Sequence, residues 1–146
     1  MILYLDSSAL VKLYFHEKRR GMVTMAVEES EGMTTSTITY AETRATLSRK
    51  HREGWLDNNG LEQAVADLNN GWLTFARIDV VTRLTYRAGH LARMNALRGF
   101  DAVHLARAVH LTKEYNDLSF LAFDMRLNDA ARAAALTIYG DVSDAG

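Results

Sequence analysis

Short, wholly apolar runs alternate along the chain with longer segments whose apolar residues recur every three to four positions. The run "ILYL" (2–5) is too short for a buried helix and suits a strand covered on both faces. "ALVKLYF" (9–15) then opens a helix that Ser7 or Ser8 is placed to cap, and "EKRRGMVTMAVEES" (17–30) predicts a second helix. The β-branched run "MTTSTI" (33–38) predicts a strand, and "TYAETRATLSRKHREG" (39–54) predicts a helix that stops at Gly54. Another helix begins near Asn59 and fades around Gly71, followed by a strand over "ARIDVV" (76–81). "TRLTYRAGHLARMNAL" (82–97) and "FDAVHLARAVHLTKEY" (100–115) read as helices, "LSFLAF" (118–123) as a buried strand. A short Ala-rich helix over 126–135 and a closing strand in "LTIYG" (136–140) complete the pattern. Strands and helices in turn predict an α/β fold, a short, mostly parallel sheet of about four to five strands flanked by helices.

Proline is absent and no linker-like stretch interrupts the chain, so residues 1–146 are expected to form a single domain. With 48% apolar residues, a chain of 146 residues has enough material for one core. Seventeen basic residues stand against 18 acidic ones, so no overall positive charge marks the chain as a polyanion binder. Phosphate contacts would fall to local patches, of which "HEKRR" (16–20) and "RKHR" (49–52), with Arg44 nearby, are the best; both also read as solvated helix faces. The absence of cysteine excludes disulfides and thiol chemistry and agrees with a reducing compartment. Without a signal-peptide start or an apolar run near the ~18 residues of a membrane span, a cytoplasmic protein with no membrane association is expected.

Four acids stand where apolar neighbours make them conspicuous. Asp6 and Asp124 each follow a predicted strand, which puts both at carboxyl ends of strands, where open α/β sheets build their sites. At about 100° per residue, Glu42 shares a helix face with Ile38, Ala41 and Ala45, and Asp101 shares one with His104, Leu105 and Ala108. An ionised carboxylate facing inward must pair with a base, take up a proton or bind a cation. A hard divalent ion such as Mg²⁺ satisfies several at once, because it prefers oxygen ligands and keeps some of its waters. Each acid also has a purely structural reading. Asp6 and Asp124 suit helix caps, Glu42 an ion pair with Arg44 or Arg49, and Asp101 the positive end of its own helix.

Other residues carry weaker signals. His104 lies one turn beyond Asp101 and suits packing or a structural hydrogen bond better than catalysis, while His16, His51, His90 and His110 show no zinc-site spacing. Asp129 reads as a solvated helical acid or a peripheral ligand. Ser7 could hold a metal-bound water. Trp55, Leu56, Leu61, Trp72 and Phe75 look like core or a partner surface.

Taken in order, "YLDSSALVKLY", "TYAETRATL", "GFDAVHLARA" and "FLAFDMRLNDAARAAAL" resemble the successive motifs of the PIN-domain family, and most closely the VapC-type toxin ribonucleases of type II toxin–antitoxin pairs. The resemblance runs from residue 2 to about residue 139. It implies that Asp6, Glu42, Asp101 and Asp124 form an acidic quartet holding one or two Mg²⁺ or Mn²⁺ ions, with Asp6 and Asp101 as direct ligands. Glu42 would act directly or through water, and Asp124 in the outer or second-metal position. The implied reaction is hydrolysis of RNA phosphodiester bonds, and the implied partners are an RNA substrate, a small cognate antitoxin and a second copy of the chain in a homodimer.

Two other enzyme classes fit poorly. A phosphatase of the haloacid-dehalogenase type wants a second aspartate where this chain has Ser8, and a receiver domain wants an acidic pair near Asp6. The competing reading is a PIN-like module that binds RNA or protein without cutting. Four intact acids argue against it.

Overall fold

The computed structural model describes residues 1–78 and 81–140. Five strands, β1 (Ile2–Leu5), β2 (Gly32–Ser36), β3 (Ala76–Ile78), β4 (Leu118–Leu121) and β5 (Thr137–Ile138), form one sheet in the order β3-β2-β1-β4-β5. Every pairing in it is parallel. Around it lie α1 (Ser7–Leu10), α2 (Arg20–Glu29), α3 (Ile38–Arg52), α4 (Asn58–Trp72), α5 (Thr82–Asn95), α6 (Gly99–Leu111) and α7 (Met125–Ala133). The expected α/β sandwich is therefore present with five described strands. Positions 79 and 80 of the strand expected over 76–81, and 141–146 of the expected domain, lie outside the described residues.

β1 runs through the centre, paired with β2 on one side and β4 on the other. Its side chains alternate between two cores, which is why its sequence is apolar without interruption. Leu3 and Leu5 pack with Leu10, Val23, Leu47 and Leu68 on one face. Tyr4 packs with Leu105, Phe120 and Leu127 on the other. Each such side chain contributes about 1.5–3 kcal/mol by leaving water. β2 is built from hydroxyls instead, and they are satisfied: Thr34 Oγ1 donates to the Ala76 carbonyl at 2.8 Å and Thr35 Oγ1 to the Leu5 carbonyl at 2.7 Å. The helical pair α5 and α6 closes over a small cluster of its own, Leu84 and Ala88 against Ala102 and Ala106.

Three sequence expectations need correction. The helix expected from residue 9 to 15 ends at Leu10 and tightens into a 3₁₀ turn over Val11–Leu13. Its cap is not Ser7 or Ser8 but Asp6, in keeping with the structural reading of that acid, because the Asp6 carboxylate reaches the Ala9 amide at 3.0 Å and a carboxylate suits the positive end of a helix. The third concerns α2, which starts at Arg20, not near residue 17, since Arg19 takes a left-handed conformation with φ 68°. α3 stops as anticipated at a glycine with positive φ, Gly54 at 86°. Among the described residues, no helix is long and apolar enough to cross a membrane.

Candidate active site

Beyond β1 the chain builds β2 and β3 to one side, then returns to add β4 and β5 on the other. A crevice must open where the direction reverses, above the carboxyl ends of β1 and β4. The β1 ladder extends one residue past the strand, with the Asp6 amide donating to the Leu121 carbonyl at 3.3 Å. A cleft of about 680 Å³ occupies this position, and Asp6, Glu42, Asp101 and Asp124 all line it. Residues from four separate segments thus meet at one opening.

Asp6 is 2% exposed, and its two oxygens differ in their surroundings. Oδ1 accepts from the Ser8 hydroxyl at 2.7 Å and from the Ala9 amide at 3.0 Å; among the described residues no donor meets Oδ2. Burial pushes its pKa up to about 6, and the Asp101 charge adds to the shift, while His104, Ser8 and the Ala9 amide work against it. Asp101 lies in the first turn of α6, as the sequence suggested. Its carboxyl is also raised, by burial first and then by the charges of Asp124 and Glu42, with His104 and Arg98 opposing. Asp124 is exposed and caps α7 through Oδ1, which accepts from the Leu127 amide at 2.8 Å. Capping and a place in the cleft therefore coexist in both Asp6 and Asp124.

Glu42 departs from the ion pair that helical spacing suggested. Arg49 pairs instead with Glu53 at 3.7 Å, and Arg44 lies on Tyr40, donating to its hydroxyl at 3.0 Å. Glu42 accepts from Ser7 Oγ at 3.2 Å and meets His104 Nε2 at 2.8 Å. The face it shares with Ile38, Ala41 and Ala45 lines the cleft, whereas the buried face of α3 is Thr39, Thr43 and Leu47. The small alanines leave room for the opening.

Among the described residues, none of Asp6, Asp101 and Asp124 forms an ion pair. Nor do three His, Asp or Glu side chains stand close enough to enclose an ion directly. The acids share an open cleft and are not drawn into a closed cage. Lys12, Arg49, Lys50 and Arg98 stand on the same lining. Lys12 is tied to Glu17 at 2.7 Å and lies over the Phe123 ring at 4.7 Å, and Lys50 lies over Phe15 at 5.4 Å.

Some expected features fall elsewhere. Asp129 pairs with Arg132 at 3.1 Å and does not line the cleft. His16, Arg19 and Arg20 belong to a separate shallow depression with Met25 and Glu28. Of the aromatics, Phe75 is buried and Trp72 packs at a tilt between it and Tyr40, but Trp55 is 69% exposed. Sequence reading missed Lys12 and Arg98; the signal was there in two bases that lie six residues after Asp6 and three before Asp101. It read Ser8 only as a candidate cap; its Oγ donates to Asp6 and accepts from the Phe123 amide at 3.0 Å, clamping the end of β1 to the segment after β4. Ser8→Ala leaves that amide without its partner and is expected to lower stability by about 1–2 kcal/mol in chemical denaturation.

The chain matches the PIN domain family over residues 3–133. It is 32% identical over 137 residues to "Ribonuclease VapC45" of Mycobacterium tuberculosis, a match covering 94% of each chain. Among solved structures, VapC20 of Mycobacterium tuberculosis, described as a Sarcin-Ricin loop cleaving toxin, superposes with a TM-score of 0.65 at 19% identity, covering 88% of this chain and 94% of that one. A toxin–antitoxin complex from Klebsiella pneumoniae superposes with a TM-score of 0.60 at 20% identity, covering 84% and 86%. At such identities the two structures speak for the fold alone, while the family match and the 32% relative span nearly the whole length. The chain belongs to the PIN-domain family, among its VapC-type ribonucleases.

Proposed function

We propose that this protein is a metal-dependent endoribonuclease, the toxin of a toxin–antitoxin pair, which hydrolyses RNA phosphodiester bonds at the Asp6–Glu42–Asp101–Asp124 cleft. One observation carries the reading: Asp6, Asp101 and Asp124, without an ion-pair partner among the described residues, face with Glu42 a cleft whose rim holds four cationic side chains, and burial together with neighbouring acids raises the carboxyls of Asp6 and Asp101. Acids left uncompensated in this way fit a hard cation. Because the side chains do not close around an ion by themselves, Mg²⁺ or Mn²⁺ suits the donor set, keeping waters in part of its shell.

Asp6, through the oxygen left free by capping, and Asp101 would hold the ion; Glu42 would hold it directly or through water, and Asp124 would serve at the outer edge. When bound, such an ion supplies a water of lowered pKa and offsets charge on the attacked phosphate. The remaining work belongs to the protein. Lys12, Arg49, Lys50 and Arg98, which stand on the cleft lining, would hold the RNA backbone through sequence-independent contacts. Ser8 and the Ala9 amide fix the Asp6 carboxylate, so it does not have to reorganise as charge develops.

The same uncompensated cleft would attract an arginine from a small antitoxin by charge-assisted hydrogen bonds. The likeness to a solved toxin–antitoxin complex supports such a partner. A homodimer is inferred from the family resemblance, and analytical ultracentrifugation tests it.

Incubation of the purified protein with total cellular RNA tests the reaction, with 5′ ends mapped in the presence of Mg²⁺ or Mn²⁺ and again with chelator. Discrete new ends that need the metal are expected. Uncut RNA under every condition, together with no metal uptake by calorimetry, would turn the reading into a binding module.

A further inference from the structure

His104 is fully buried, ionisable and unexplained by the cleft chemistry so far. Its Nε2 lies 2.8 Å from Glu42 Oε1, and its Nδ1 lies 2.9 Å from the Tyr4 hydroxyl. A carboxylate only accepts, so Nε2 carries the hydrogen of this contact whether the ring is neutral or charged; Nδ1 accepts from the Tyr4 hydroxyl in the neutral ring and donates to it in the charged one. Tyr4 comes from the central strand and is itself immobilised. Its ring stacks on Phe120 with centroids 5.5 Å apart and meets the His104 ring edge-on at 5.9 Å.

We propose that Tyr4 and His104 form a buried relay that positions Glu42, setting the carboxylate's orientation for a divalent cation in the cleft. Glu42 stands on a cleft face lined by small alanines, where packing does little to restrict a side chain with three rotatable bonds. Two donors from different elements restrict it instead, His104 from α6 at Oε1 and Ser7 from α1 at Oε2, 3.2 Å away. An ionised carboxylate has about four acceptor positions, so these two bonds leave one lone pair on each oxygen for a cation or its water. Hydrogen-bonded partners of this kind behind a ligand set metal affinity in general. The relay accounts for a histidine and a tyrosine hydroxyl in an otherwise apolar core. The inference rests on Glu42 being a metal-holding residue, as read above.

Two measurements on metal-free protein test it. In ¹⁵N-labelled protein, Nε2 of the His104 ring is expected to carry a hydrogen in the wild type and, because the Glu42 carboxylate still accepts it, in Tyr4→Phe; a ring protonated on Nδ1 alone would overturn the relay. Mn²⁺ titration by calorimetry should show His104→Leu weakening affinity by about 10–100-fold, His104→Gln recovering most of the loss through its amide donor, and Tyr4→Phe showing a smaller loss. If cooperatively folded His104→Leu binds Mn²⁺ like the wild type while Glu42→Gln does not, the relay is overturned and the metal role of Glu42 stands. Wild-type affinity in Glu42→Gln removes that role, and the relay with it. Should His104→Leu fail to fold, Tyr4→Phe decides: unchanged Mn²⁺ affinity overturns the proposal.

Discussion

Asp101→Asn is expected to reduce metal-dependent RNA cleavage by on the order of 10²–10³-fold, the scale on which loss of one pre-aimed electrostatic group is felt. The substitution keeps the shape and removes the charge. It also leaves the fold in place, for Asp101 does not serve as the cap of α6, whose preceding residue Arg98 makes no side-chain cap bond either. Removing a charge from the first turn forfeits about 0.3–1 kcal/mol of helix-dipole attraction, offset by relief from the charges of Asp124 and Glu42. Single-turnover cleavage of a mapped RNA site provides the rate. Asp129→Asn is the control, because that acid lies off the cleft and pairs with Arg132; it should cut like the wild type. Wild-type cleavage by Asp101→Asn would remove Asp101 from the site.

Asp6→Asn is expected to do two opposite things, abolishing cleavage while making the metal-free protein more stable at neutral pH. With a folded pKa of about 6 against 3.8 for the free side chain, the folded protein keeps a proton that the unfolded chain has lost between those values. Stability therefore falls as pH rises through that window, and the full penalty is present above it. A shift of this size corresponds to about 3 kcal/mol. Asparagine carries no charge to desolvate, and it still offers an oxygen to the Ala9 amide. In chelator at pH 7.5 the variant should melt roughly 6–12 °C higher, taking about 2–4 °C per kcal/mol for a chain of this size. Near pH 4 the two curves should converge. Added Mn²⁺ should then raise the melting temperature of the wild type and leave the variant unmoved, because only a folded state that binds the ion is stabilised by it. An acid-to-neutral pH trend of the opposite sign would show that the Asp6 carboxylate is not held in a desolvating site.

Local pattern made the elements readable. The apolar runs at 2–5 and 118–121 became central strands because a strand covered on both faces cannot alternate. The acids at their ends were legible for the same reason: after such a run, Asp6 and Asp124 have to emerge at the edge of the sheet. Competition between neighbouring groups was harder to read. Three polar residues in a row after β1 all suit a cap, and only the geometry shows that Asp6 takes the Ala9 amide while Ser8 turns to Phe123 and Ser7 to Glu42. A helical wheel placed Glu42 among apolar neighbours, yet alanines fit a cleft wall as well as a core, and the wheel cannot tell the two apart. The Tyr4–His104–Glu42 chain was out of reach, since its bonds join residues 100 and 62 positions apart.

The Ser8 clamp has a further consequence, for synthesis. It joins groups 115 residues apart, and β1, which precedes β4 in the chain, cannot gain its second neighbour until β4 follows. At about 5–20 residues per second the nascent chain waits many seconds with one edge of β1 unpaired. Until β4 follows, Asp124, which lies beyond it, is absent, so incomplete chains lack the complete set of four acids. A cleft that needs all four acids is thereby completed only once the translation machinery has passed β4.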